Sequence, residues 1–465
     1  MSESNDVISA DYVVIGAGAM GMAFTDVILT ETDATVVLID RHAKPGGHWN
    51  DAYPYVRLHQ PSAFYGVNSL QLGSDRKDSQ GWNEGLYELA SGAEVLAYYD
   101  HVMHRQFLPS GRVRYFPMCD YSESDGRRGF VWRVSGQQFE VAPSATIVDA
   151  TYMNVTVPSV RPPQYDVAAG VRCIPPNDLP SIDRPADGYV VVGAGKTGAD
   201  ACLWLLANGV DPAEISWIMP RDSWYLDRAQ IQPGEFFANT ARGFVEQFRH
   251  IAQSTSIDDL FDRLEAGGLL LRIDTSVRPT MYRCSTVTRA ELEQLRRITN
   301  VIRMGRVQRI EADRIVLDGG AVSTSLGTVH IDCTADGLER RPPKPVFDDG
   351  RVTLQTVRHC QQVFSAAFIA HVEGAYDSDA DKNRLCGVVP HPDSHTDWLR
   401  TAFGNAMNTA QWGADPALQQ WLAQSRLDGF SSTAAPSAEL IAVALEFAGP
   451  AIGKLQQYIA ELDAG

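Results

Sequence analysis

The chain has 465 residues, enough for two or three domains with ample core. Its 44% hydrophobic and 21% charged residues suit a globular protein. Acids outnumber bases by 57 to 40, a net charge of −17, which argues against nucleic acid or an anionic membrane as a main partner.

The segment Met1 to Asp6 is acidic and polar, unlike a signal peptide, so the cytoplasm is the expected location. The run Asp11-Tyr-Val-Val-Ile-Gly16-Ala-Gly18-Ala-Met-Gly21 then reads as a buried parallel strand that turns into a helix, predicted over Met22 to Thr30. The first glycine permits a tight turn. The second lets the backbone approach a pyrophosphate, and the third lets helix and strand pack closely. The helix N-terminus adds free N–H groups and partial positive charge. Thr35 to Ile39 reads as the next strand. Asp40 ends it, 19 positions after Gly21, close to the spacing of about 20 expected for an acid that binds ribose hydroxyls. Gly16, Gly18, Gly21, Asp40 and Arg41 are therefore candidate cofactor-binding residues.

A loop rich in Gly, Pro, Trp and Tyr follows from His42 to Val67, then a helical stretch from Ala93 to His104. Val113 to Cys119, Phe130 to Val134 and Gln138 to Val141 have strand character. Turn residues Ser122, Asp125 and Gly136 separate them, which predicts an antiparallel meander. Thr146 to Ala150 reads as a returning buried strand, and the prolines from Pro158 to Pro185 mark an interdomain connection.

A second fingerprint, Tyr189-Val-Val-Val-Gly193-Ala-Gly195-Lys196-Thr197-Gly198, repeats the pattern, and its helix runs to Asn208 with Gly209 as C-cap. Two such motifs in proper context point to two dinucleotides and to electron transfer from a nicotinamide to a flavin. No acid closes the second strand, Glu214 to Met219; Pro220 and Arg221 follow. An arginine there can grip a 2′-phosphate that a carboxylate would repel, so NADPH is expected over NADH, with Arg228 and Lys196 as helpers. Gly195-Lys-Thr imitates a P-loop, but Val190 stands where its first glycine belongs, so a nucleoside triphosphatase is disfavoured.

Further on, Arg289 to Thr299 reads as a helix and Val307 to Leu317 alternates. Val329 to Thr334 reads as a strand leaving this unit, just as Ile147 to Thr151 leaves the first. The expected fold is α/β: two Rossmann-like dinucleotide-binding domains, the NADP domain inserted in the FAD domain, and a helical C-terminal region. The expected boundaries are 1–160 and 336–465 for the FAD domain and 161–335 for the NADP domain. The tail from Ser394 to Asp463 is helical in pattern, its Trp398, Trp412 and Trp421 read as core, and it is a candidate cover for the site or dimer face. Leu440 to Gly453 is too broken by Glu446 and Pro450 to span a membrane. None of the seven cysteines is close to another in sequence, so no metal site or redox disulfide is expected and all seven read as inert thiols.

The order of fingerprint, Gly46-Gly47-His48-Trp49 loop, meander and second fingerprint resembles the class B flavin-dependent monooxygenases over roughly residues 10–340. In the Baeyer–Villiger members the loop reads Gly-Gly-x-Trp, then Tyr-Pro-Gly-x-Arg-x-Asp. Gly46, Gly47, Trp49, Tyr53, Pro54 and Arg57 match, whereas Tyr55 replaces a glycine and His59 an aspartate. Of the family's Phe-x-Gly-x-x-x-His linker only Gly170 is kept, with Ile174 at the histidine position. The resemblance implies that Gly47, His48 and Trp49 lie against the flavin, with Trp49, Tyr53 and Tyr65 as walls. It implies that Arg57 stabilises reduced flavin and that His59 holds or relays a proton, since an ordinary histidine titrates near neutrality. The implied activity is oxygenation of a small molecule by NADPH, FAD and molecular oxygen through a C4a-(hydro)peroxyflavin; a homodimer is a separate expectation, not one drawn from the resemblance. The alternatives are a flavin-dependent reductase, dehydrogenase or oxidase that inserts no oxygen, and a non-catalytic dinucleotide sensor. Trp224 to Arg228 reads equally as a nicotinamide-lining or a packed segment, and His359 and His371 as structural.

Overall fold

The computed structural model describes residues 6–124, 126–429 and 437–464. The expected N-terminal segment up to Asn5 and the expected turn residue Asp125 lie outside them.

Tyr12–Ile15 forms the middle of a six-stranded sheet. Its Val13 and Val14 face opposite sides and both are fully buried, one under an antiparallel ribbon and the other under helices. Burial on both faces is why the strand reads as a continuous apolar run. The order across the sheet is Phe347–Asp348, Arg351–Thr353, Thr146–Asp149, Tyr12–Ile15, Val36–Ile39 and Val113–Phe116. All pairings are parallel except that of the edge strand Phe347–Asp348. The strand order reverses at Tyr12–Ile15, so a crevice opens beyond its carboxyl end, where Gly16 begins the turn. Helix Ala19–Glu31 packs along Gln362–Ala375, and both are apolar nearly all round. Phe24, Phe364 and Phe368 are wholly buried in the core these helices share, each contributing about 1.5–3 kcal/mol by burial.

The second sheet is entirely parallel, in the order Arg172–Ile174, Thr328–Asp332, Gly188–Val192, Ile215–Ile218 and Asn300–Ile302. All its strands come from one continuous stretch, whereas the first sheet draws on chain both before and after it. The two crossings run side by side: Val155–Thr156 pairs antiparallel with Gly337–Leu338.

The meander begins later than the sequence predicts. Val113–Phe116 joins the large sheet beside Val36–Ile39, and the ribbon comprises Cys119–Ser124, Arg127–Trp132 and Gln138–Val141. Ser122 lies within a strand rather than at a turn. Local pattern cannot distinguish these roles, because the partner of Val113–Phe116 is far away in sequence. Helices run over Gly92–Val102, Lys196–Ala207 and Arg289–Leu295, and Gly209 takes φ +83° after the second of them. The C-terminal helices are His395–Gly413, Pro416–Gln424 and Ala438–Ala464. Trp398 and Trp412 are buried in two different cores. Among the described residues no helix is long and apolar enough to cross a membrane.

Candidate functional site

Both glycine turns open onto one cleft of about 1290 Å³, lined by Gly16 and Gly18 on one side and by Gly195, Lys196 and Thr197 on the other. Gly16 and Gly193 take φ of +102° and +122°, which favours glycine. A Cβ on Gly21 would sit 1.9 Å from the Gly16 carbonyl oxygen, and one on Gly198 2.1 Å from that of Gly193. These third glycines let helix meet strand from behind the turn. A Cβ on Gly195 would meet nothing within 4 Å, so this corner is open to a ligand.

At the first turn, Asp40 is buried and its carboxylate accepts hydrogen bonds from the Ala17 N–H (2.6 Å) and the His42 N–H (2.7 Å). His42 also places Nδ1 3.0 Å from Asp40 and Nε2 2.9 Å from Asp51. The bond to Asp40, followed by that to Asp51, raises the His42 pKa and favours its cation. Sequence reading missed His42 and Asp51, because the string forms only once the loop folds back. Arg41 is exposed and lines the cleft, and its carbonyl accepts from Arg133 Nη1 at 3.2 Å.

The following loop docks on the turn itself. The Gly46 N–H donates to the Ala17 carbonyl at 2.8 Å, and Gly46 and Gly47 take φ of +120° and +56°. Trp49 Nε1 donates to the Tyr65 hydroxyl at 2.7 Å while its ring stacks on His48. Burial pushes the His48 pKa down to about 4. Trp49, Tyr53, Tyr65, Arg57 and His59 all line the cleft; the Arg57 side chain is exposed, 3.9 Å from Asp78.

His59 departs from its expected role. Burial, then the positive charges of Lys196 and Arg228 and the neighbouring His391, push its pKa down to about 3. It is a neutral imidazole rather than a group titrating near pH 7, and its buried Nδ1 has no hydrogen-bond partner.

On the second side, Lys196 is ion-paired with Asp200, which also accepts from the Tyr53 hydroxyl at 2.7 Å. Arg221, expected to grip a 2′-phosphate, is placed away from the cleft wall and pairs with Asp393 at 3.0 Å. Arg283 and Arg340 bond the same carboxylate, and these two arginines with Asp393 do line the cleft. Asp393 lies 172 positions beyond Arg221, which is why the sequence hid it. Arg228 is not available as a helper. It is 1% exposed and is held by the His59 carbonyl (3.0 Å), Asn83 (3.1 Å), the Thr286 carbonyl (3.3 Å) and Glu291 (3.0 Å). Trp224 and Tyr225 are buried in the strand Ser223–Asp227, so this segment is packed core. His371 is structural, bonding Glu31 at 2.6 Å and stacking on Trp421.

The cysteine reading is overturned for two of the seven. Cys284 and Cys360, 76 positions apart, form a disulfide on the cleft wall, with a His391 ring nitrogen within 4.8 Å of both sulfurs. His359, read as structural, has Nε2 3.1 Å from Cys284 Sγ. Spacing along the chain conveys nothing about a pair that tertiary folding brings together. Cys119, Cys173, Cys202, Cys333 and Cys386 stay free, and burial raises the pKa of each.

A family model described as an NAD(P)-binding Rossmann-like domain matches residues 14–74, the turn that the sequence reading gives to FAD. Among solved structures the chain is similar to cyclohexanone monooxygenase from Rhodococcus sp. Phi1 bound to NADP+, with 14% identity, a TM-score of 0.49 and 98% of each chain covered. It is also similar to a flavin-containing monooxygenase from Stenotrophomonas maltophilia, with 17% identity, a TM-score of 0.42 and coverage of 88% of this chain and 100% of that one. Two mycobacterial relatives, Rv2000 of Mycobacterium tuberculosis and Mb2023 of Mycobacterium bovis, are each 57% identical over 422 residues. That match spans 90% of this chain and 78% of each relative, both described as uncharacterized proteins. The chain belongs to one protein family with Rv2000 and Mb2023.

Proposed function

We propose that the protein is an NADPH-dependent, FAD-containing monooxygenase of the class B type, acting on a small molecule with oxygen as co-substrate. One observation carries the reading: two dinucleotide turns, each following a parallel strand of its own separate sheet, face a single cleft. In this reading FAD takes the first turn and the domain formed by 1–160 and 336–465, and NADPH takes the second, within 161–335. The fit of the cofactors rests on the chain's own groups. Gly195 leaves open backbone for a pyrophosphate, and the buried His59 Nδ1 and Gln361 Oε1, on residues of the cleft wall, lack partners that a bound ligand can supply. When bound, the flavin supplies hydride acceptance and oxygen activation, chemistry that no side chain offers.

The side chains then bind, orient and exclude. Backbone N–H groups beyond Gly18 and Gly195 receive phosphates at two helix N-termini. Arg283 and Arg340, with Arg221 behind them, outnumber the carboxylates Asp393 and Asp336 that pair with them, leaving net cationic charge suited to a 2′-phosphate. Trp49 and Tyr65 brace each other and wall the cleft against water. Neutral His59 keeps a polar nitrogen for hydrogen bonding without introducing charge.

The test is a visible spectrum of the purified protein before and after NADPH, with and without air, followed by turnover under labelled oxygen. A yellow protein bleached by NADPH, with label entering a product, supports the reading. A colourless protein that binds no FAD overturns it, and label absent from the product overturns the oxygenase step.

A further inference from the structure

The Cys284–Cys360 disulfide links residues 76 positions apart. It lies on the cleft wall, and it joins the two nucleotide units. Cys284 belongs to the strand Met281–Val287, beside the second sheet's unit; Cys360 lies between the returning strand Arg351–Thr353 and helix Gln362–Ala375.

The local backbone sets this pair apart. Both cysteines take φ of +56°, a left-handed conformation that residues other than glycine seldom adopt. Cys284 also sits in an irregularity of its strand pairing: Tyr282 and Thr286 oppose Trp224 and Leu226, so three residues face one. Such bulges re-aim side chains near functional sites, and held backbone strain concentrates there. Two imidazoles stand beside the sulfurs. His359 Nε2 is 3.1 Å from Cys284 Sγ, and a His391 ring nitrogen lies within 4.8 Å of both sulfurs. Cys360 is partly exposed while Cys284 is buried, so an incoming thiol reaches Cys360 first.

We propose that Cys284–Cys360 is a redox-active cystine that exchanges with low-molecular-weight thiols entering the cleft. The thiolate of one small thiol attacks Cys360 Sγ, forming a mixed disulfide, and the bond to Cys284 Sγ breaks. Cys284 leaves as a thiolate and takes up one proton. With its own proton on Nε2, His359 donates a hydrogen bond to that leaving sulfur. A second small thiol attacks the outer sulfur of the mixed disulfide and releases Cys360 as a thiolate, which takes up the second proton. In sum, two small thiols are oxidised to one disulfide, and one cystine is reduced to two cysteine thiols. No step passes through a dinucleotide, so the proposal is independent of the monooxygenase reading. Opening the bond would also remove one cross-link between the two nucleotide units, which the paired chain crossings Val155–Thr156 and Gly337–Leu338 still join.

The test is a redox titration of the native full-length protein with mixtures of reduced and oxidised glutathione, read by alkylation and peptide mass mapping. Cys284 and Cys360 should convert together between cystine and two labelled thiols as the ratio changes, while the buried Cys119, Cys202, Cys333 and Cys386 stay unlabelled. Cys284→Ser, exposed to oxidised glutathione, should trap glutathione on Cys360. His359→Phe should keep the cystine but slow its opening about tenfold, the scale of one lost hydrogen bond to a charged sulfur. A pair that responds only after unfolding in guanidinium is a structural staple and overturns the proposal. A protein purified with about one equivalent of zinc, whose two cysteines become reactive only after chelation, has a Cys–His metal site there instead, which also overturns it.

Discussion

Gly47 lies so close to Gly18 that a Cβ on Gly47 would come within 2.9 Å of the Gly18 Cα. The aromatic loop therefore rests on the first dinucleotide turn with no room for a side chain, and Gly47 holds φ +56° as well. Gly47→Ala should push the loop off the turn at a cost of about 1–3 kcal/mol, weakening FAD roughly tenfold to a hundredfold. The flavin-to-protein ratio after dialysis checks this, and full retention of FAD would place the flavin elsewhere.

Gly195 gives the opposite case. Its missing side chain faces open space, so Gly195→Val should leave the melting temperature and FAD content nearly unchanged. It should nevertheless weaken NADPH strongly, because the new side chain stands where the pyrophosphate would lie. Calorimetric titration with NADPH measures it; unchanged affinity would remove the second turn from the nucleotide site.

Arg221 reaches the cleft only through Asp393, which it shares with Arg283 and Arg340. Arg283→Ala should raise the KM for NADPH by about one to two orders of magnitude, the scale of a charged phosphate contact, and leave NADH nearly untouched. Arg221→Ala should have the smaller effect of the two. If Arg221→Ala costs more, the grip runs through Arg221 directly, as the sequence alone suggests.

Buried imidazoles, His48, His59 and His359 among them, set an acid limit on the fold. His48 is lowered to about 4 and His59 to about 3, mainly by burial. Below the unfolded value of about 6.5 the unfolded chain binds protons that the folded chain refuses. Stability contributed by these groups is therefore present above about pH 6.5 and falls as the pH drops toward 4. Thermal melts from pH 7.5 to 4.5 should show this, and His59→Gln should flatten the slope. An equal slope in the variant would show that His59 titrates normally.

His42 moves the other way. Its pairing with Asp40 and Asp51 raises its pKa, so the cation is favoured in the folded chain. That contribution is fully present below the unfolded value of about 6.5 and is lost as pH rises through the folded one. His42→Gln should remove an alkaline decline in melting temperature and loosen the Asp40 end of the first turn.

Both glycine turns were determined by the sequence itself, because what a phosphate turn requires is local: a buried apolar strand, bare backbone at fixed offsets, then a helix start. Gly16 to Gly21 and Gly193 to Gly198 meet those demands within a dozen residues each, and the resulting α/β architecture follows from them. Only the tertiary structure could decide which charges remain available and which sulfurs meet. Arg228 is spent on the His59 carbonyl and Glu291, Arg221 on Asp393, and Cys284 meets Cys360 across 76 positions. Ion pairing, desolvation and cross-linking depend on distance in space. A linear pattern carries that information only over the few residues that a single turn or strand holds together.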